Sequence, residues 1–414
     1  MLIEEMNTNQ NNNIQYIANI KKIYLFSFFW MFLVIIPIIV PYFLSLGLDM
    51  KQIFQLQAIF GFTVAILEVP SGYLCDLWGR KKTICIGSFL SGIGFTWLYF
   101  IDGFFELVLY EILIGIALSL VSGADISLLY ESLNYKNDDR LERTKAMGNY
   151  QFSKTTAEAI ASLLGGALVI ISFKATIVAH AFFSWVPFIV ALTIIEAPYK
   201  KMDREKHFEN IKKVFKHLFF SEKLIRLIFL NLVTWGLSTF IAVWIFQKYW
   251  QDESISLGYF GILWAGYNFS IGFIGKQVHR WEEKFGPTTL LIALSLFPII
   301  GYFGMAFASG WLGVILGLSF QFSRGITQVI LRDAFNWRVP GEFRATANSL
   351  SSLFFRLGFC LIGPLVGYSI DGQGLSNTLI YLGIGFSLLF ITLSLPLIKE
   401  VNKIAPDKIP SSHS

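Results

Sequence analysis

The chain has 414 residues, 54% of them hydrophobic and only 15% charged, with a mean hydropathy of +0.58 and a formal net charge of +5. Soluble domains carry about 25% charged residues, so this composition excludes a soluble enzyme and points to an integral membrane protein. The modest positive charge speaks for membrane topology rather than nucleic acid, and three scattered cysteines exclude a disulfide framework or a zinc site.

Residues 1–22 are polar and rich in Asn and Gln, and are expected to form a disordered cytoplasmic tail. The apolar run after them is too long for a signal-peptide core, so it is a retained first span. A helical span takes about 20 residues. Apolar runs predict spans at 23–46, 52–76, 83–101, 104–133, 148–171 and 175–195, and again at 224–249, 256–279, 287–308, 311–337, 344–370 and 375–397. Between the two sets lies a polar linker, 196–222. In it Phe208, Ile211, Val214, Phe215, Leu218 and Phe219 share one helical face, the pattern of an interfacial amphipathic helix. The expectation is an all-α integral membrane protein of twelve transmembrane helices. Its parts are a tail (1–22), a six-helix bundle (23–195), the linker, a second bundle (223–397) and a second tail (398–414).

Lys and Arg test the orientation. Of the 33, 25 fall in segments that an internal amino terminus would place on the cytoplasmic side, and three fall in the opposite loops. Both termini are therefore expected in the cytoplasm.

The halves resemble each other at a shift of 202–203 residues, as expected for a duplicated transporter. Leu129-Tyr-Glu131-Ser-Leu-Asn134 matches Leu331-Arg-Asp333-Ala-Phe-Asn336, Gly72-x3-Asp76-x-Trp78 matches Gly275-x3-His279-x-Trp281, and Lys154 matches Arg356. In the second half, Arg280-Trp-Glu-Glu-Lys-Phe-Gly286 is a degraded copy that has lost its basic ending.

The connection between spans 2 and 3 packs charge tightly against apolar runs: Gly72-Tyr-Leu74-Cys-Asp76-Leu-Trp-Gly79-Arg80-Lys81-Lys82. This G-x-L-x-D-x-x-G-R-K pattern resembles the corresponding loop of the major facilitator superfamily. The resemblance implies twelve helices in two pseudo-symmetric six-helix bundles that rock about a central site. It also implies a gate-side charge cluster of Asp76 and Arg80, with Gly72, Gly79 and Lys81 shaping the loop. Glu131 ends span 4 on the same side and is expected to join them, with Asp333 as its echo in the second half.

Ionisable groups deep in a bilayer cost at least ~2.5–3.5 kcal/mol on insertion scales and mark function. Glu68, Asp125 and Glu158 are the proton-coupling candidates. Asp125 follows Ser122-Gly123-Ala124, small residues that permit close helix approach. Arg324 and Arg356 have no carboxylate at i±3 or i±4, so each pairs across helices or holds an anionic solute. With Lys154 and Asn268 they are the substrate-binding candidates. Lys154 and Glu158, four apart, could also neutralise each other.

No G-x-x-x-x-G-K-[ST] or G-x-S-x-G run occurs, and the five His do not cluster with Cys or Asp. No cofactor, metal or catalytic residue is expected. The function expected is secondary active transport of a small organic solute, driven by protons, with an organic anion such as a polycarboxylate siderophore favoured by the two arginines. The alternatives are proton-coupled export of amphipathic drug-like compounds and, in another class, a membrane-embedded lipid-modifying enzyme. Proton-coupled drug exporters of the resembled family carry G-x-x-x-G-P-x-x-G-G in span 5. Here only Gly165-Gly166 stands there, without the Pro. The partners expected are the solute, protons and lipid, for a monomer in a bacterial inner membrane.

Overall fold

The computed structural model describes residues 2–135, 140–198, 214–216, 218–219, 222–340 and 343–404. Among them every regular element is helical. Span 1 consists of α1 (Leu2–Trp30), a 3-10 turn at Ile36–Ile38 and α2 (Ile39–Ser45). Spans 2 and 3 are α3 (Met50–Trp78) and α4 (Arg80–Trp97). Span 4 is broken into α5 (Phe104–Val121) and α6 (Ala124–Leu133). Span 5 is α7 (Arg140–Val169), and span 6 is α8 (Phe173–Ser184) with α9 (Val186–Thr193).

Span 7 is α10 (Lys223–Asp252). Spans 8 and 9 form α11 (Leu257–Phe307), continuous except for a kink at Gly286. Spans 10 and 11 are α12 (Gly310–Arg338) and α13 (Arg344–Gln373). Span 12 is α14 (Leu375–Leu389), a π turn at Phe390–Ser394 and α15 (Leu395–Ile404).

Nine helical stretches among the described residues are long and apolar enough to cross a membrane, and α11, with 51 residues, accounts for two spans. Helices α1 and α7 fall outside that set because each begins polar. Helix α7 opens Arg140-Leu-Glu-Arg-Thr-Lys145, and only its second half is apolar. With them, each of the twelve expected spans has a helical counterpart.

The chain forms two compact units that exchange short pieces. One contains residues 1–48, 59–202 and 256–265, and the other contains 49–58, 203–255 and 266–414. In the first unit α1 packs on α6, α7 and α9, while α4 packs on α5, α8 and α9. Its core is apolar side chains such as Ile23, Phe26, Leu128, Leu129 and Ala191. In the second unit α10 packs on α12 and α13. Stacked rings fill its centre: Tyr302 lies parallel to Phe386 at 5.5 Å and edge-on to Phe320 at 4.7 Å.

One expectation changes, and two others meet the structure only in part. Residues 2–22, expected as a disordered tail, are helical and continuous with span 1. Asn19 explains why the end of this segment is ordered: its fully buried carboxamide accepts from Ile195 N (3.1 Å) and donates to Ile195 O (2.8 Å). The amphipathic linker helix, including Phe208 and Ile211, lies mostly outside the described residues. Of its apolar face, Val214 and Leu218 are buried and Phe219 packs on Phe229 and Phe354. Finally, the degraded loop of the second half keeps its turn. Gly286 has φ 77°, ψ 161°, close to the 97°, 156° of Gly79.

Candidate functional site

Two polar assemblies occupy the first unit, and the turn glycines place both. At Gly79 the chain passes from α3 to α4 with φ +97°, a conformation L side chains rarely adopt. This sharp turn folds Arg80 back over the last turn of α3. Arg80 Nη1 donates to Asp76 Oδ1 at 2.5 Å and to Cys75 Sγ at 3.2 Å. Its Nε donates to Glu131 Oε1 at 3.1 Å, from the end of α6. All three charged side chains are at least four-fifths buried, which keeps water from screening the pairs. One guanidinium thus joins spans 2 and 4 through two separate nitrogens, which a point-charge ammonium cannot do.

Glu196, just past α9, completes this assembly and was not among the sequence candidates. Its Oε1 accepts from Arg80 N at 2.7 Å and its Oε2 from Lys81 N at 2.8 Å. A carboxylate here satisfies amides that begin a helix and would otherwise have no partner, and it complements the helix dipole. Lys22 Nζ donates to Thr193 O at 2.5 Å, and Asn19 holds Ile195, so α1 fixes the segment that carries Glu196. Spans 1, 2, 3, 4 and 6 meet here. In sequence Glu196 reads as the first polar residue after an apolar run, which gives no hint of a long-range cap.

The second assembly forms at the break in span 4. Ser122 leaves helical geometry and Gly123 has φ +86°, so α6 starts afresh inside the bundle. The sequence reads Gly123 as a small residue for close packing; the structure shows a helix break instead. Asp125 therefore lies in the first turn of a helix, where dipole and amide N–H groups favour a carboxylate. It is 4% exposed; Ile126 N donates to Oδ1 at 2.8 Å and the Tyr150 hydroxyl donates to Oδ2. The Lys154 ammonium stands over the Tyr150 ring, 5.1 Å from its centroid. Asp125, Tyr150 and Lys154 thus form one line of acceptor, hydroxyl and cation. The sequence names the two ends but not Tyr150, because an aromatic residue in a span is ordinarily packing.

The remaining candidates are more dispersed. Glu68 and Glu158 are half-buried on α3 and α7, and α3 runs on through Pro70. Gly72 has open space where a Cβ would stand. In the second unit Arg324, Arg356 and Asn268 are half-buried on α12, α13 and α11, and Arg356 Nε donates to Ser352 Oγ at 3.4 Å. Asp333 does not echo Glu131. It is exposed, and among the described residues it has no ion-pair partner, because the loop around Gly286 carries no counterpart of Arg80. What the repeat preserves is Asn134 and Asn336. Asn134 accepts from Arg143 Nη2 of span 5 at 3.1 Å, and Asn336 accepts from Asn348 Nδ2 of span 11 at 2.7 Å. Glu111, buried in α5, also lies outside the sequence candidates, although it carries the same signal that singles out Asp125. No cluster of His, Cys, Asp and Glu among the described residues could hold a metal ion.

The family model described as Major Facilitator Superfamily matches residues 23–358. The chain belongs to the major facilitator superfamily. Among curated relatives, this superfamily member is similar to the MFS-type transporter YxaM of Bacillus subtilis (strain 168), at 26% identity over 82% of the chain and 86% of the relative. It is similar to the quinolone resistance protein NorA of Staphylococcus aureus at 23% identity, over 88% and 92%. Among solved structures, the nucleoside transporter NupG superposes with a TM-score of 0.74 at 13% identity, covering 92% of the chain and 98% of NupG. A D-xylose-proton symporter superposes with a TM-score of 0.69 at 14% identity, covering 92% and 98%. At these identities the structural likeness shows the fold alone. The protein is a multi-pass membrane transporter of small molecules and not an enzyme, which sets aside the lipid-modifying alternative.

Proposed function

We propose that this transporter couples proton movement to the passage of a small organic solute, with Asp125 as the proton acceptor. The observation that carries this reading is the Asp125–Tyr150–Lys154 line at the break in span 4. Discontinuous helices are a recurrent way for membrane transporters to present polar groups to ions and solutes. With Asp125 ionised, Lys154 is its counter-charge. Once Asp125 takes a proton, that cation loses this counter-charge and is available to an anionic group on the solute. Loss of the proton restores the internal pair and releases the solute. Arg324, Arg356 and Asn268 supply further contacts for an organic anion, with Glu68 and Glu158 as secondary proton sites. Asp76, Arg80, Glu131 and Glu196 act as a conformational latch on the cytoplasmic side, both termini facing that compartment in a bacterial inner membrane. The working unit is a monomer.

A second reading, export of an amphipathic drug-like compound, is favoured by the similarity to NorA. The two part in one experiment. The purified protein is reconstituted in sealed vesicles, a pH gradient is imposed, and organic anions including polycarboxylates are tested against cationic dyes. Movement of anions that is lost in Arg324→Gln and Arg356→Gln supports the first reading. Movement of dyes alone, unchanged by both substitutions, replaces it with the second. Flux of either solute that ignores the gradient sinks the coupling.

A further inference from the structure

Helix α8 carries a groove that the transport reading does not use. Ser172 starts the helix: its Oγ accepts from Ala175 N at 3.0 Å, a side-chain cap. From there Ala175, Val178, Ala179 and Phe182 recur at helical spacing, a stripe about 10 Å long at 1.5 Å per residue. The alanines are small and half-buried, whereas Val178 and Phe182 are 53% and 70% exposed and stand as walls. With Tyr99, in the turn that follows α4, this stripe lines a groove of about 640 Å³.

The groove is polar at one end only. Ser172 and Lys174 are exposed there, and the Lys174 ammonium lies 5.8 Å from the centroid of the Tyr99 ring. The Ser172 hydroxyl accepts from the helix and keeps its own proton to donate. Lys174 is also unusual for its place in the chain. Lys51, Lys174 and Lys248 are the three cations in the loops expected on the side opposite the termini. Lys248 is matched by an ion pair with Asp252. Lys174 has no carboxylate partner among the described residues, and a ring contact does not cancel its charge. Its long apolar stem lets the ammonium sit at the edge of a membrane, where it attracts negative headgroups. An apolar groove that ends in such a cation and a hydroxyl donor matches a lipid with a negative head. A zwitterionic head brings its own cation to the same spot.

We propose that this groove is a binding site for an anionic phospholipid, its phosphate on Lys174 and the Ser172 hydroxyl and one acyl chain along Ala175, Ala179 and Phe182. Bound there, the lipid joins the end of α4 to the start of α8 and stabilises the first unit.

The test uses the full chain in detergent, stripped of lipid and titrated with phosphatidylglycerol or with phosphatidylcholine of the same acyl chains. Bound lipid is counted by native mass spectrometry. Wild type should hold phosphatidylglycerol about tenfold more tightly, the margin of one charge-assisted contact. Lys174→Gln, at an exposed position that should not disturb folding, should abolish the preference. Lys248→Gln, at a cation already paired, should keep it. Ala179→Phe fills the groove and should lower retention of both lipids. Phosphatidylglycerol should also raise the melting temperature of wild type more than that of Lys174→Gln. Equal retention of the two lipids by wild type, or a preference that survives in Lys174→Gln, overturns the site. Displacement of the lipid by inorganic phosphate would assign the cation to a free anion instead. Crosslinking of Val178→Cys between two chains would make the groove a dimer contact. Either result removes the lipid. None of these readouts needs a transported solute, so failure of the transport reading leaves the outcome intact.

Discussion

A Cβ on Gly79 would stand 2.9 Å from Oε2 of Glu196, the oxygen that caps Lys81. The two residues are 117 apart in sequence, yet each requires the other: the carboxylate fits because Gly79 has no side chain, and the turn is held because the carboxylate caps it. Gly79 also has φ +97° and ψ 156°, a region essentially confined to glycine, where another residue costs about 1–3 kcal/mol. Gly79→Ala should therefore lower the melting temperature and most of the transport activity. Gly72→Ala, seven residues earlier in the same motif with open space around it, should be close to wild type. Thermal melts of the detergent-solubilised variants check this, and equal effects would show that the turn is not the reason for Gly79.

Arg80 bonds Asp76 and Glu131 through different nitrogens. Arg80→Lys retains the charge but has a single nitrogen to share between the two carboxylates, so it should behave more like Arg80→Ala than like wild type. Buried charge-assisted bonds of this kind contribute about 1.5–3 kcal/mol each. A double-mutant cycle of Arg80→Ala with Glu131→Gln, read by melting temperature, should be strongly non-additive. Simple additivity would mean that the guanidinium does not join spans 2 and 4.

The number of spans, their order and the charge cluster were legible because each leaves a local signal. Apolar length marks a span, and three cations after Asp76 mark a loop end. What was not legible depends on distant partners. Glu196 looks like the polar edge of a span, and Tyr150 like packing. Asn19 looks like part of a disordered Asn-rich tail, although its carboxamide docks on Ile195. Gly123 is the instructive case. Its small size suggested helix–helix contact, whereas its positive φ breaks span 4 and sets Asp125 at a helix start. Asp333 failed in the other direction. Its sequence match to Glu131 is real, but the match holds only where an Arg80 equivalent is present.

A polar junction in the second unit offers a stability test independent of transport. Asn231 Nδ2 donates to Leu393 O (3.1 Å) inside the π turn, and its Oδ1 accepts from Trp235 Nε1 (3.0 Å) and Ser394 Oγ (2.6 Å). Ser295 Oγ donates to Ser394 Oγ at 3.1 Å, bringing span 9 into the junction. π turns persist where neighbouring groups satisfy the displaced backbone. Asn231→Leu leaves several buried polar groups without partners, at about 1–3 kcal/mol each. It should destabilise more than Ser295→Ala, which removes one peripheral bond. The reverse order of melting temperatures would show that Asn231 is not the centre of the network.

The coupling line makes an ordered prediction along α7. Tyr150→Phe keeps the ring beneath Lys154 but removes the hydroxyl from Asp125, while Tyr150→Leu removes both. A cation over an aromatic ring contributes about 0.5–2 kcal/mol and a hydrogen bond to a charged group about 1.5–3 kcal/mol. Gradient-driven accumulation should fall from wild type to Tyr150→Phe and again to Tyr150→Leu. Asp125→Asn is different in kind. It is nearly isosteric and still accepts from Tyr150, but it cannot carry a proton. Solute exchange at equal pH on both sides should therefore survive in Asp125→Asn while uphill accumulation disappears. Wild-type accumulation in that variant would remove Asp125 from the coupling, and the burden would pass to Glu68 or Glu158. Loss of exchange as well would mean that Asp125 holds the helix break together rather than carrying protons.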